Sequence, residues 1–135
     1  MRFLDTNIFL RQILNDLPDQ SPACLALFQA IERGEIAVWT TDLAIAEVVY
    51  VLAGRRTYAF PRAAIRDALL PLLELSHLRL ARKRIYTRVF ELYVNLPISF
   101  VDAFHIALVE TRPDKEVYSF DADFDRVSGV RRLRP

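Results

Sequence analysis

The 135-residue chain is poor in cysteine, glycine and lysine, and it contains no long apolar run. The single cysteine, Cys24, excludes a disulfide within the chain and suits a reducing compartment. No apolar segment reaches the roughly 20 residues that a membrane-spanning helix needs. Asp5 and Asn7 interrupt the N-terminus where a signal peptide would be apolar. We therefore expect a soluble, cytoplasmic protein without a membrane partner.

The composition is that of a folded globular protein, with 53% hydrophobic and 26% charged residues. The length fits one domain covering residues 1–135, because no linker or repeat divides the sequence. The net charge is only +1, but arginines concentrate in residues 79–88 and 131–134. These arginines would form a basic surface around an acidic pocket, which would suit binding of a polyanion. The alternative is that they lie on ordinary solvated faces of the protein.

Short apolar segments alternate with segments of helical periodicity along the chain. The predicted strands are residues 2–4, 36–40, 78–80, 117–120 and 130–133. Predicted helices start at Thr6 and Pro61, and others cover residues 21–33, 42–53, 82–95 and 99–111, with caps at Ser21, Asp42 and Ser99. This alternation predicts an α/β domain with a mostly parallel sheet and helices on both faces. Functional sites of such sheets lie outside the carboxyl ends of the strands.

Two acids lie within unusually apolar predicted helices, Glu47 in residues 43–52 and Asp102 in residues 98–109. Helices of this composition are normally buried, and a lone buried carboxylate costs several kcal/mol unless it is paired or bound to a metal. A purely structural role stays open for both acids. Glu47 would reach solvent or pair with an arginine, and Asp102 would form an acidic capping box with Ser99.

The acids that follow predicted strands also have two interpretations. Asp5 alone is best explained as a helix cap, and Asp121 would begin a turn with Asp123 or Asp125 as its cap. One shared explanation is that acids from the sheet edge and two helices converge on divalent cations such as Mg²⁺ or Mn²⁺, which prefer carboxylate oxygens. The acids concerned are Asp5, Glu47, Asp102 and Asp121.

Four acidic segments, in this order and spacing, resemble the motifs of the PIN domain family over essentially the whole chain. They are MRFLDTN at residues 1–7, TDLAIAEV at 41–48, SFVDAFHIA at 99–107 and YSFDADF at 118–124. The resemblance implies a PIN-like three-layer sandwich with a short-stranded parallel sheet. Within the family, the chain is most similar to VapC-type toxins of toxin–antitoxin pairs.

The resemblance implies an endoribonuclease in which Asp5, Glu47, Asp102 and Asp121 hold one or two Mg²⁺ or Mn²⁺ ions. The metals would bind the RNA phosphate, activate a water and stabilise the leaving oxygen. Asp123 is an alternative fourth ligand, and we favour Asp121 because it directly follows a predicted strand.

Polar neighbours of the motifs receive supporting roles. Asn7 and Ser119 match positions that bind a metal water or orient a carboxylate, although helix-start chemistry explains Asn7 equally well. His105 lies one helical turn after Asp102 and is more often a packed helix residue than a catalytic one. Candidate RNA-binding residues are Arg82, Arg84, Arg88 and Arg126. The family also leads us to expect a homodimer and a cognate antitoxin that contacts residues 11–33.

Other classes of protein fit the sequence less well. A response-regulator receiver domain needs a phosphoacceptor Asp in mid-chain and a late Lys, but the only lysines are Lys83 and Lys115. A haloacid-dehalogenase phosphatase needs Asp-x-Asp after the first strand, where this chain has Asp5-Thr6-Asn7. The remaining alternative is a catalytically silent PIN-like module that binds RNA or protein.

Overall fold

A computed structural model describes all residues from Met1 to Pro135. The chain divides into two compact units, Met1–Lys83 and Arg84–Pro135. Helices separate most of the strands along the sequence, and every strand pairing within each unit is parallel. The predicted α/β class with parallel strands is therefore confirmed. None of the helices combines the length and apolar character that a bilayer span requires.

The first unit, Met1–Lys83, contains a three-stranded parallel sheet and four helices. In chain order the elements are β1 (Arg2–Phe3), α1 (Thr6–Leu14), α2 (Ser21–Glu32), β2 (Val38–Trp39), α3 (Asp42–Ala53), α4 (Arg62–Leu73) and β3 (Leu78–Arg79). The strands pair in the order β1-β2-β3, and in the central strand Val38 lies opposite Arg2 of β1 and Leu78 of β3.

Side chains of the sheet alternate between the core and the solvent, as the pleat of a strand requires. Val38 and Leu78 are buried in the core, whereas Trp39 and Arg79, the next residues of their strands, are exposed. The helices complete this core with fully buried side chains at helical spacing, as in the series Ile65, Leu69 and Leu73 of α4. Burial of these stripes stabilises helices that would be marginal in isolation.

The predicted bounds of α2 and α3 hold within one residue, although their caps differ from the prediction. Thr41, not Asp42, caps α3, because its hydroxyl accepts the Ala44 N–H at 3.2 Å. Ser21 is the first residue of α2, not its cap, and its hydroxyl accepts the Leu17 N–H. Gly34 stops α2 as predicted, with φ +76°, a conformation that favours glycine.

The second unit, Arg84–Pro135, contains two helices followed by a two-stranded parallel sheet. Phe90 and Tyr93 pack their rings against Phe100, which joins the two helices through an aromatic cluster. The two strands pair with Glu116 opposite Arg131 at one end and Tyr118 opposite Leu133 at the other. The elements are α5 (Tyr86–Asn95), α6 (Phe100–Glu110), β4 (Glu116–Tyr118), a 3₁₀ turn (Ala122–Arg126) and β5 (Arg131–Leu133).

Several boundaries differ from the prediction. The basic helix predicted at 82–95 starts only at Tyr86, because Arg82 has φ +55° and residues Lys83–Ile85 form a 3₁₀ turn. The strand predicted at 117–120 ends at Tyr118, so that Asp121 does not directly follow it. The other strands are also shorter than predicted. Their apolar runs continue beyond the residues that pair by hydrogen bonds with a neighbouring strand.

Candidate active site

In the second unit, Asp102 lies in the first turn of α6. Ser99 caps this helix, as predicted, because its Oγ accepts the Asp102 N–H at 3.0 Å. The carboxylate of Asp102 does not return a hydrogen bond to the Ser99 N–H, so only half of a capping box forms. The half-buried side chain of Asp102 therefore keeps its oxygens available for another partner.

Asp121 and Asp123 lie in the short turn that follows β4. The Ser119 Oγ accepts the Asp121 N–H at 2.9 Å, and the Asp121 Oδ1 accepts the Asp123 N–H at 2.9 Å. These bonds confirm that Asp121 begins a turn, but the cap is Asp121 itself and not Asp123 or Asp125. The Ser119 hydroxyl helps to shape the turn. Capping engages only one oxygen of Asp121, which does not exclude a second function.

The helix and the turn bring three carboxylates together. One carboxylate oxygen each from Asp102, Asp121 and Asp123 can be chosen so that all three lie within 4.8 Å of one another. Arg126 is the one cation that pairs with this group, since its Nε donates to the Asp123 Oδ1 at 3.0 Å. Both acids that the sequence left as alternatives, Asp121 and Asp123, therefore lie beside Asp102.

A cavity of about 430 Å³ borders these carboxylates. Its walls include the exposed side chains of His105 and Tyr118, together with Asp102 and Asp121. His105 is therefore not a packed helix residue, and it faces the same cavity as the acids. Tyr118 was not singled out from the sequence, because an exposed aromatic at the end of a strand carries no motif of its own.

In the first unit, Asp5 holds the N-cap position of α1 without using its side chain as a cap. The interpretation of Asp5 as a simple capping residue is therefore wrong, and its exposed carboxylate has no helix bond to make. The backbone before it is fixed, because the buried Thr40 hydroxyl donates to the Leu4 carbonyl at 2.9 Å. The side chain of Asn7 is exposed in the first turn of α1.

Glu47 lies on an exposed face of α3, so the burial expected from its apolar helix does not hold and the alternative that Glu47 reaches solvent is confirmed. The physical reason is that its neighbours along that face, Leu43 and Tyr50, are themselves 83% and 81% exposed. Thr6 holds the carboxylate: its Oγ1 donates to the Glu47 Oε2 at 2.9 Å. Thr6 follows Asp5 directly, so this bond ties the Glu47 carboxylate to the residue next to Asp5 in the first unit.

Comparison with known protein families decides the classification. The profile described as "PIN domain" matches residues 2–130. The chain belongs to the PIN domain family. PIN domains are generally nucleases, that is, hydrolases of phosphodiester bonds, and PIN nucleases depend on divalent metal ions. A search of curated proteins finds no match for the chain.

The arginines predicted to bind RNA in this PIN domain differ in their present partners. Arg82 pairs with Asp42 at 2.8 Å, and Arg126 pairs with Asp123. Arg88 is held by Glu91 and, through two bonds of 2.9 Å, by Glu110, which raises the pKa of its guanidinium. Arg84 is exposed in the 3₁₀ turn and forms no ion pair.

Proposed function

We propose that this PIN domain is a Mg²⁺- or Mn²⁺-dependent endoribonuclease and the toxin of a VapBC-type toxin–antitoxin pair. The observation that carries the proposal is the group of three carboxylates within 4.8 Å, formed by Asp102, Asp121 and Asp123. Like charges at this separation repel one another, and Arg126 neutralises only one of them. A cation held between them removes that repulsion.

The donor set fits a hard divalent ion. Carboxylate oxygens are the ligands that Mg²⁺ and Mn²⁺ prefer, and no thiol or imidazole belongs to the group. Asp102, Asp121 and Asp123 would hold the ion, and we assign Asp5 and Glu47 to the same function from their places in the PIN motifs. When bound, the metal supplies a nucleophilic water near neutral pH and charge stabilisation for a phosphate.

The chain's own residues orient these ligands. Ser119 and the backbone of Asp123 hold the turn that presents Asp121, and Arg126 fixes the direction of the Asp123 carboxylate. Thr6 does the same for Glu47 in the first unit. Such supporting hydrogen bonds restrict the carboxylates to few orientations, which lowers the entropy cost of binding an ion.

RNA fits the cavity beside these acids better than a purely apolar ligand does. Tyr118 offers a ring on which a base can stack, and His105 offers a hydrogen bond to ribose or phosphate. Arg84, exposed and unpaired, provides an electrostatic contact for the backbone. The toxin assignment, with its homodimer and antitoxin partner, rests on the resemblance of the four motifs.

The test is cleavage of a mixed structured RNA pool by the purified protein with Mg²⁺, Mn²⁺ or EDTA. Wild type should cleave only with metal, Asp102→Asn should not cleave, and the matched control Asp19→Asn, an exposed acid outside the site, should behave as wild type. Metal binding without cleavage of any RNA would instead indicate the silent binding module.

The toxin role has a separate readout in cells. Induced expression of the wild-type chain should arrest growth, and Asp102→Asn should not. Arrest by both proteins would show that the effect does not depend on the carboxylates, and it would contradict the toxin assignment.

A further inference from the structure

A cavity of about 730 Å³ in the first unit lies at the carboxyl ends of β2 and β3. Residues 39–42 and 78–83, which leave these two strands, supply most of its wall. Since the sheet is parallel, the carboxyl end of β1, and with it Asp5, lies at the same edge. Ligands of parallel α/β sheets bind at this edge.

An exposed row of side chains crosses the sheet next to this cavity. Phe3, Trp39 and Arg79 are in register on neighbouring strands, and all three are exposed. The Phe3 and Trp39 rings lie 4.9 Å apart, so Phe3 supports the indole from one side. Trp39 nevertheless keeps 41% of its surface exposed, and it lines the cavity with Arg79. A tryptophan left this accessible beside a cation is a platform for stacking.

The charges of the cavity are mostly positive. Its wall contains the cations Arg79, Arg82 and Lys83, and Asp42 as the one acid. Asp42 is already paired with Arg82 at 2.8 Å. The Lys83 ammonium donates to the carbonyls of Leu75 and Leu78, so it is held at the wall.

Arg79 differs from the other cations because it is exposed and forms no ion pair. It stands beside Trp39 in the sheet, so a phosphate bound to its guanidinium would place an attached nucleotide near the indole. A planar ring with a free guanidinium is the combination by which proteins hold single-stranded nucleic acid.

We propose that this cavity is a subsite for a single-stranded segment of the RNA substrate, with a base stacked on Trp39 and the backbone phosphate on Arg79. The proposal rests on RNA being the substrate of the proposed nuclease. It adds two binding residues, Trp39 and Arg79, that lie outside the four acidic motifs. The role of the subsite is to hold RNA outside the cleaved bond, which is recognition through stacking and charge, not through base edges.

Trp39 is the only tryptophan of the chain, so its fluorescence reports on this cavity alone. The wild-type protein is titrated in EDTA, where a metal-dependent nuclease cannot cleave, with a short single-stranded oligoadenylate RNA. We expect saturable quenching of Trp39. Inorganic phosphate at the same phosphate concentration should quench little, because it has no base to stack.

Variants separate the two contacts, with labelled RNA followed by fluorescence anisotropy. Trp39→Leu should weaken binding about fivefold or more, the range for loss of one stacked base. Arg79→Gln should weaken binding and lower the slope of log K against log salt by about 0.7, the value for one phosphate contact on a single strand. Arg56→Gln removes an exposed arginine of the same unit outside the cavity. It should change neither the RNA affinity nor the salt slope. Thermal melts of each variant confirm folding.

The outcomes distinguish this subsite from the nuclease proposal. Quenching by RNA with the expected variant effects supports the subsite even if no cleavage occurs. A protein that cleaves RNA but shows no change in Trp39 fluorescence would overturn the subsite and leave the nuclease in place. Equal quenching by phosphate, or equal loss of affinity in Arg56→Gln, would also overturn it.

Discussion

Replacing Thr6 by Val tests whether the hydrogen bond between two distant segments positions Glu47. Thr6 is only 5% exposed, and its hydroxyl donates to the Glu47 Oε2 at 2.9 Å and, more weakly, to the Ala44 carbonyl at 3.4 Å. Valine has nearly the same shape and leaves no unpaired donor in the core. Glu47 is exposed, so its carboxylate can bond to water instead. We therefore expect a change of at most about 1 kcal/mol in the free energy of unfolding.

The effect on cleavage should be easier to detect than the effect on stability. The energy that orients Glu47 cannot exceed the net contribution of the bond, about 1 kcal/mol. If that energy holds Glu47 in its working orientation, Thr6→Val should lower kcat/KM for RNA about fivefold.

Thr6→Ser is the matched control because it keeps the hydroxyl and loses the buried methyl group. It should cost about 1 kcal/mol of stability, at least as much as valine does, and yet retain most of the cleavage. Cleavage rates and thermal melts of both variants are measured side by side. Unchanged cleavage in Thr6→Val, with RNA below saturation, would refute the positioning role of this bond.

Further predictions concern stability, thiol chemistry and RNA affinity. Burial raises the pKa of the Cys24 thiol above its value in the unfolded chain. The stability that the bound proton contributes should therefore be present below about pH 8.5 and decline as the pH rises through the folded pKa. A thiol reagent should label the buried Cys24 of the native protein slowly at pH 8. Ser99→Ala should lower the free energy of unfolding by about 1 kcal/mol through loss of the α6 cap, as measured in denaturant. Arg88→Gln should cost about 0.5 to 1 kcal/mol, because it leaves Glu110 unpaired. Arg84→Gln should instead leave the melt unchanged and weaken RNA binding at low salt; equal affinity there would remove Arg84 from the RNA surface.

Local signals in the sequence predicted much of the fold. Caps and stops such as Ser99 and Gly34 depend on neighbouring backbone, so they could be located without the tertiary structure. Strand lengths could not, because a strand ends where its ladder partner ends, and that partner is distant in sequence. The start of α5 was missed for a local reason, since the left-handed backbone of Arg82 is unusual for arginine.

The candidate site was predicted through its motifs and not through burial. Glu47 contradicts the expectation that an acid in an apolar helix is buried, because α3 also exposes Leu43 and Tyr50. Residue chemistry alone offered convergence of Asp102 and Asp121 as one of two explanations, and the resemblance favoured it, since their proximity depends on the packing of a helix against a turn. Their function as metal ligands stays a prediction.

The link between Thr6 and Glu47, which are 41 residues apart, has no signature in either motif. The same holds for the row that joins Trp39 to Arg79, because the register of parallel strands is set by the helices between them. Contacts of this kind follow from tertiary structure alone.

The central claim is that Asp102, Asp121 and Asp123 bind the divalent ion that RNA cleavage requires. The most direct test counts bound Mn²⁺ by electron paramagnetic resonance and measures RNA cleavage in the same preparations of wild type, Asp102→Asn and Asp121→Asn, beside Asp19→Asn. We predict that wild type and Asp19→Asn bind Mn²⁺ and cleave, and that the other two variants, still folded, lose both. Full Mn²⁺ binding and cleavage by Asp102→Asn would contradict the claim.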